Sequence, residues 1–577
     1  MTTSPTRTST RTTVAVATAV AGLAIYFIPL SVLVTVLMAG AGICAWRRLH
    51  PAHRLRRRLG AAGWLMRREL RQHAGARAMR AHAGVTHPGM PARRRSLTTY
   101  GARVGTLVSG PVGVRGRAVY SPWSRGILVL GPQGSGKTSW LVGPILDAPG
   151  PAYVTSTKTE LADLTAQLRA QRGPVHVFNP TGLGGLASTF CWDPVAACVD
   201  PAIADARARA LVRGGGGVAG AENADFWAGK AAEIIRCYLL AAALHRADMA
   251  AVMAWALHPD DRAPITILQQ HAPRVPPGWV GTLQSNLSAA PNTRSGYFAA
   301  MVPAVSFMDN PLVAAACRPR VDNQLDLDAF LASSGTLYVI AGEDDRRIAP
   351  LLTALTEAVF TAAKRRAARA PRGRLDPPFG LFLDEIANIT PVPLDTWAAD
   401  SRGWGITVCA VAQDLSQLES RWGRTRAQTI FSNLPTRVVL PGVAIKEDLE
   451  ALAYLGGHRE VTQTSESHSD AADGRRTRSR STSVVREQVI TGHTIYGLPR
   501  WHAYVLGLGP HPAVVRFQPG YRRSRAELRR ARRHDPALTA HHGAQPGVSA
   551  ETVPGPPAPV QRSAPVPDPV KETVSPR

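Results

Sequence analysis

Cysteine is sparse in this chain and poorly spaced for chemistry. The six residues (Cys44, Cys191, Cys198, Cys237, Cys317, Cys409) form no CxxC pair and have no histidines at ligand spacing. That pattern excludes a zinc–cysteine site and a disulfide framework, and leaves small core residues of a reducing compartment. Lysine is just as scarce, which is unusual for so basic a protein, with only six among 67 basic residues. The rest are arginines in Ala-, Gly- and Pro-rich surroundings, a composition that a GC-rich genome also produces. Acid is short as well: 41 Asp and Glu leave a net charge of +26 and a pI near 10.9. That excess points to an anionic partner, either nucleic acid or anionic lipid.

Charge is missing altogether from Val14 to Trp46, a run of 33 residues. About 20 apolar residues span a bilayer, so this stretch is expected to be a transmembrane anchor. A secretory signal peptide would be shorter, and its cleavage region would not be followed by "RRLHPAHRLRRRLG". The basic flank places everything downstream on the cytoplasmic side of the cell membrane. One long tilted helix and a hairpin turning at Pro29 both remain open, because Arg7 and Arg11 also favour an inside N-terminus. Residues 47–95 then carry fourteen arginines against one acid, Glu69. Such a helix-favouring basic segment suits anionic headgroups first, and also fits a nucleic-acid path or a solvated juxtamembrane helix.

At 577 residues the chain exceeds a single ordinary domain. Short β-branched runs occur at Ile127–Leu130, Ala152–Thr155, Val175–Phe178, Thr336–Ala341, Gly380–Leu383, Ile406–Val411 and Arg437–Leu440. Several are separated by helical stretches, which is the alternation of a parallel α/β sheet. Almost no strand signal interrupts 195–327, so an all-helical insertion is expected there. Within it, "FWAGKAAEIIRCYLLAAAL" puts Trp227, Ala231, Ile234, Ile235 and Tyr238 on one helical face after a cap at Asp225. Past Tyr521 the chain becomes Arg-rich and then Pro/Ala/Val-rich, and 522–577 is expected to be a disordered tail.

The chemistry begins at "GILVLGPQGSGKTSW". Residues 131–138 fit G-x-x-x-x-G-K-[ST], with a strand before and a helix after, which is the context of a phosphate-binding loop. Gly131, Pro132, Gln133, Gly134, Ser135 and Gly136 would fold the backbone into a nest of N–H donors, with Ser139 just beyond. Lys137 would neutralise the β- and γ-phosphate oxygens, and Thr138 would place its hydroxyl on Mg2+. The partner motif is "PFGLFLDEIANI". A buried strand ends at Asp384, which would orient the metal, and Glu385 follows as the base that polarises water. Together the motifs imply hydrolysis of ATP with Mg2+. At least one strand and the helical insertion separate them, as in RecA-like motor folds.

These residues resemble the type IV secretion coupling proteins, the TraG/TraD conjugative DNA-transfer family, in an actinobacterial-looking form. Beyond the nucleotide motifs, the similarity is carried by "YVTSTKTEL", "VHVFNPTG", "CWDPV", "DFWAGKAAEIIRCYLLAAAL", "TRSGYFAAMVPAVSFMDNP" and "SRGWGITVCAVAQDLSQLESRWG", spread over roughly 115–510. The resemblance implies a RecA-like P-loop NTPase domain in two parts (115–194 and 328–521) around the helical insertion, with 1–46 as N-terminus and membrane segment and 47–114 as a basic juxtamembrane region. It implies a membrane-anchored hexamer that delivers single-stranded DNA or a relaxase–DNA complex, brought by relaxosome proteins, to the type IV secretion channel. Arg402 resembles the arginine that reaches a neighbouring subunit's nucleotide, Gln413 the sensor glutamine, and Arg125 an interface arginine. The family commonly has Asp-Pro where this chain has Ser156 and Thr157, so no role is carried over to that loop. The basic loop Asp473 to Gln488 matches no motif; contact with DNA phosphates and a merely solvated loop both fit it. Two other functions suit the same motifs: a protein-exporting coupling ATPase, and a non-hydrolysing ATP-binding docking receptor. A double-strand pump of the FtsK type is disfavoured, because no C-terminal winged-helix pattern is recognisable.

Overall fold

The computed structural model describes residues 55, 59–60, 62–89, 96–216, 223–318, 323–342, 346–470 and 476–534, together with Val32, Val34, Thr35 and 38–41. The expected membrane segment therefore lies almost wholly outside the described residues. Among those described, no helix is long and apolar enough to cross a membrane.

The sequence runs read as strands do form strands: β3 (Ile127–Leu130), β4 (Ala152–Ser156), β5 (Val175–Phe178), β6 (Thr336–Ile340), β7 (Phe379–Leu383), β8 (Ile406–Ala412) and β9 (Thr436–Val439). All seven lie parallel, in the spatial order β9-β3-β8-β7-β4-β6-β5. β3, β4, β6, β7 and β8 are buried along their whole length, as unbroken Val/Ile/Leu runs require when both faces of a parallel sheet are covered.

The sheet has eleven strands rather than seven. β1 (Gly101–Leu107), β2 (Ala118–Pro122), β12 (His502–Leu506) and β13 (Ala513–Arg516) extend it beyond β9 in the order β2-β1-β13-β12, every added pair antiparallel. The sheet thus takes in residues ahead of position 115. Part of the basic stretch before it is helical, at Ala76–Thr86, and packs its Ala78, Met79 and Ala83 against Tyr100.

Between β5 and β6 the described residues form no strand, and past an irregular stretch to Asp200 they are mainly helical, with helices at Pro201–Gly215, Ala224–Leu244, Met249–Leu257, Ala263–Gln270, Trp279–Leu287, Pro291–Val305 and Pro311–Ala316. Asp200, Asp248 and Asn310 cap their helices by accepting from the backbone N–H two residues on. The face predicted for Ala224–Leu244 is the buried one: Ala231, Ile234, Ile235 and Tyr238 are inaccessible and Trp227 packs against them. Its cap is not Asp225, which lies in the first turn. Asn223 holds the cap position in a left-handed conformation without a side-chain bond. One apolar core runs from Leu128 and Leu130 of β3 through these helices.

Two further expectations are corrected. The basic segment ending at Gln488 is not a loop. Its residues from Arg476 form β11 (Arg476–Gln488), paired in full antiparallel register with β10 (His458–Asp470) as a separate two-stranded ribbon. The described upper part of the ribbon is polar on both faces, so no apolar alternation announced it. Order also continues past Tyr521: Gly520–His534 is a helix. It is fixed by the Arg523–Asp147 ion pair and by Ser524 Oγ donating to Leu164 O at 2.7 Å. Residues 535–577 lie outside the described ones.

Candidate nucleotide site

Strand β3 delivers the glycine-rich loop to the carboxyl edge of the parallel strands. Gly131 N–H donates to Ala412 O at the end of β8, 3.2 Å away, so the loop starts hydrogen-bonded to the neighbouring strand. A Cβ at Gly131 would come within 2.6 Å of Ser135 Oγ. Gly134 and Gly136 have φ of +76° and +99°, which side chains rarely adopt. Ser135 Oγ donates to Pro132 O at 2.7 Å and braces the turn. Gln133 and Gly134 are exposed, and Thr138 is half-buried at the start of the helix Lys137–Asp147. The first-turn N–H groups of that helix have no intrahelical acceptors and point toward the loop.

Lys137 is 6% exposed, and its Nζ lies 3.2 Å from Glu385 Oε1. Strand β7 places Asp384 and Glu385 there. β8, whose last residue precedes Gln413, lies between β7 and β3. Thr155 Oγ1 donates to Asp384 O at 3.1 Å and fixes the strand end. Glu385 then turns at φ +46°, a strained value for a residue with a side chain, and its carbonyl accepts from Asn388 and Ile389 N–H. Burial, and after it the Glu385 charge, push the Asp384 carboxyl up to about 7, against the pull of Lys137.

Lys137 Nζ, Asp384 Oδ1 and Glu385 Oε2 are buried atoms without a hydrogen bond. Such atoms are few in native interiors, and three gathered at one site call for an explanation. A triphosphate and a divalent cation fit this set: the ammonium and loop N–H groups take phosphate oxygens, and the carboxylate takes the cation. The residues present therefore suit ATP and Mg2+.

The remaining expected residues divide. Gln413 stands at the same edge, its N–H donating to Gln417 Oε1 at 2.9 Å. Ser139 is already engaged, its Oγ accepting from Gly520 N–H at 3.0 Å. Arg125 and Arg402 stand at the opposite, amino edge, since Arg125 precedes β3 and Arg402 precedes β8. A strand length, roughly 20 Å at about 3.3 Å per residue, separates them from their own chain's phosphate loop. They share a cavity of about 570 Å³ with His73, Ser432 and Asn433. Arg125 Nη1 donates to Gly507 O, and burial and then Arg402 pull the Arg125 guanidinium below its ordinary value. Burial and the same two arginines also lower His82.

Sequence reading missed the aromatic group beside the loop. A Cβ on Gly136 would sit 3.2 Å from Trp501 Cζ3, and Trp501 meets Phe517 and Tyr521 edge-on at centroid distances of 5.9 and 6.2 Å. No motif surrounds these residues, so only the fold could bring them here.

Residues 378–500 match the family model described as the TraM recognition site of TraD and TraG. No curated protein matches the chain. Among solved structures, the bacterial conjugative coupling protein TrwBdeltaN70 in its unbound form aligns with TM-score 0.52 and 21% identity, over 69% of this chain and 87% of that one. The plasmid coupling protein TrwB with a non-hydrolysable ATP analogue aligns with TM-score 0.51 and 20% identity, over 69% and 86%. TrwB with ADP and Mg2+ aligns with TM-score 0.51 and 20% identity, over 70% and 87%. The chain shares their fold.

Proposed function

We infer that this chain, which belongs with the TraG/TraD coupling proteins, is a P-loop ATPase that drives DNA, as a single strand or joined to a relaxase, into a conjugative type IV secretion channel. The observation that carries the reading is the convergence of the Lys137–Glu385 ion pair and the Asp384 carboxyl, each with a buried polar atom left without a hydrogen bond, at the mouth of a glycine-rich loop. The nucleotide and Mg2+ complexes of TrwB support it.

In this reading the loop N–H groups and Lys137 hold the phosphates. Thr138 and Asp384 would hold Mg2+, which when bound would supply countercharge to the phosphates. Glu385, beside Lys137, orients the attacking water and receives its proton. Gln413 reports the state of the site to the helix Leu415–Trp422 through its link to Gln417. Arg402, carried on the far edge, serves a neighbouring copy's nucleotide and Arg125 beside it belongs to the subunit interface, which requires an oligomer; six copies follow the family. The apolar run Val14–Trp46 anchors the assembly in the cell membrane with the ATPase in the cytoplasm.

The test is ATP turnover by the full-length protein in detergent, with and without single-stranded DNA, beside Lys137→Ala and Glu385→Gln. Removing the base is expected to cost about 10²- to 10⁴-fold in turnover. DNA stimulation that both substitutions abolish supports the motor. Turnover indifferent to DNA transfers the reading to protein export, and no turnover by folded, assembled protein refutes it.

A further inference from the structure

We propose that Trp501 and the arginine-rimmed cavity beside it receive the base and sugar of the nucleotide whose phosphates the loop takes. The proposal rests on the nucleotide reading above and adds to it the subsite that selects a nucleotide over a bare polyphosphate.

Trp501 occupies a left-handed backbone conformation with φ of +65°, a genuine outlier for so bulky a residue. The fold maintains that outlier: Phe517 N–H donates to Trp501 O at 2.9 Å, and His502 N–H to Pro499 O at 3.1 Å. Backbone strain of this kind gathers where a side chain must be aimed. Here the indole is aimed at the phosphate loop, touching the space a Cβ on Gly136 would fill. Its ring is held by Arg500, 4.5 Å from the centroid, and by the edges of Phe517 and Tyr521.

Trp501 remains partly exposed because it lines an open cavity of about 460 Å³, within the range of small-molecule sites. The cavity follows the helix Lys137–Asp147 at Trp140 and Gly143 and meets the loop through Trp501, and Arg103, Arg516 and Arg522 stand at its exposed rim. Gly520 N–H bonds Ser139 Oγ, so this wall lies directly beside the residues that follow Lys137. A flat π system extending from phosphates held at Gly134–Lys137 would enter this space. An aromatic floor with guanidinium neighbours suits it, since both stack on base faces.

The test is equilibrium binding by titration calorimetry to the full-length protein in detergent, using Mg–ATP and Mg–tripolyphosphate as probes. Wild-type protein is expected to bind ATP at least tenfold more tightly than tripolyphosphate. Trp501→Ala should weaken ATP by roughly 5- to 100-fold, the usual effect of losing one stacked base, and leave tripolyphosphate unchanged. Trp501→Phe should recover most of the loss. Equal binding of the two probes by wild-type protein overturns the proposal without any variant. So does equal weakening of both by Trp501→Ala, which would mean that the indole only props the loop. If wild-type protein binds neither probe, the nucleotide reading itself fails.

Discussion

Replacing Asp384 by Asn should stabilise the nucleotide-free protein, and the gain should grow with pH. The Asp384 carboxyl is 3% exposed, its Oδ1 has no hydrogen bond, and Glu385 repels it from the next position. Its pKa is therefore raised from 3.8 to about 7. Between those values the native chain holds a proton that the unfolded chain has released, so stability falls as pH rises through this window. About three units at 1.36 kcal/mol each amount to a cost on the order of 4 kcal/mol, complete above pH 7 and absent below pH 4. An asparagine does not ionise and escapes the cost at every pH. Thermal midpoints of wild-type protein and Asp384→Asn, measured with chelator and without nucleotide at pH 5 and pH 8, should differ by several degrees more at pH 8. With Mg–ATP present the order should reverse, because a carboxylate binds the cation more strongly than a neutral amide oxygen. A difference that stays constant between the two pH values would refute the account of the buried pair.

Three further outcomes follow from the same geometry. Gly136→Ala puts a Cβ at φ +99° and 3.2 Å from the Trp501 ring, so it should destabilise by more than about 1 kcal/mol and abolish ATP binding, read by thermal shift and calorimetry. Arg523→Ala leaves the buried Asp147 carboxylate without its ion pair, at a cost of about 3 to 5 kcal/mol; hydrogen exchange in Gly520–His534 should rise before the rest of the chain unfolds. Glu385→Gln should retain ATP binding while losing turnover, since the base acts on water rather than on the phosphates; loss of binding would reassign it to the grip.

Legibility followed the range of the forces involved. The seven parallel strands were readable because burial on both faces imposes unbroken apolar runs. The phosphate loop was readable because backbone geometry and chemistry share eight adjacent residues. β1 was missed because "GARVGTL" mixes glycine and arginine into a strand whose burial comes from Val515 and Arg516 of a distant partner strand. The polar ribbon β10–β11 offered no alternation in its upper part, and the helix from Gly520 looked like an Arg-rich tail because its anchor, Asp147, is far along the chain.

By itself, then, the sequence determined the local chemistry: which residues could cradle phosphate, which carboxylates could follow a buried strand, and where the parallel strands would run. Each of those depends on neighbours a few positions apart. Only the tertiary structure decided that Lys137 meets Glu385, that Arg125 and Arg402 turn away to the opposite edge, and that Trp501 lies on Gly136. Those contacts join segments hundreds of residues apart, and only the order in which strands enter the sheet fixes them.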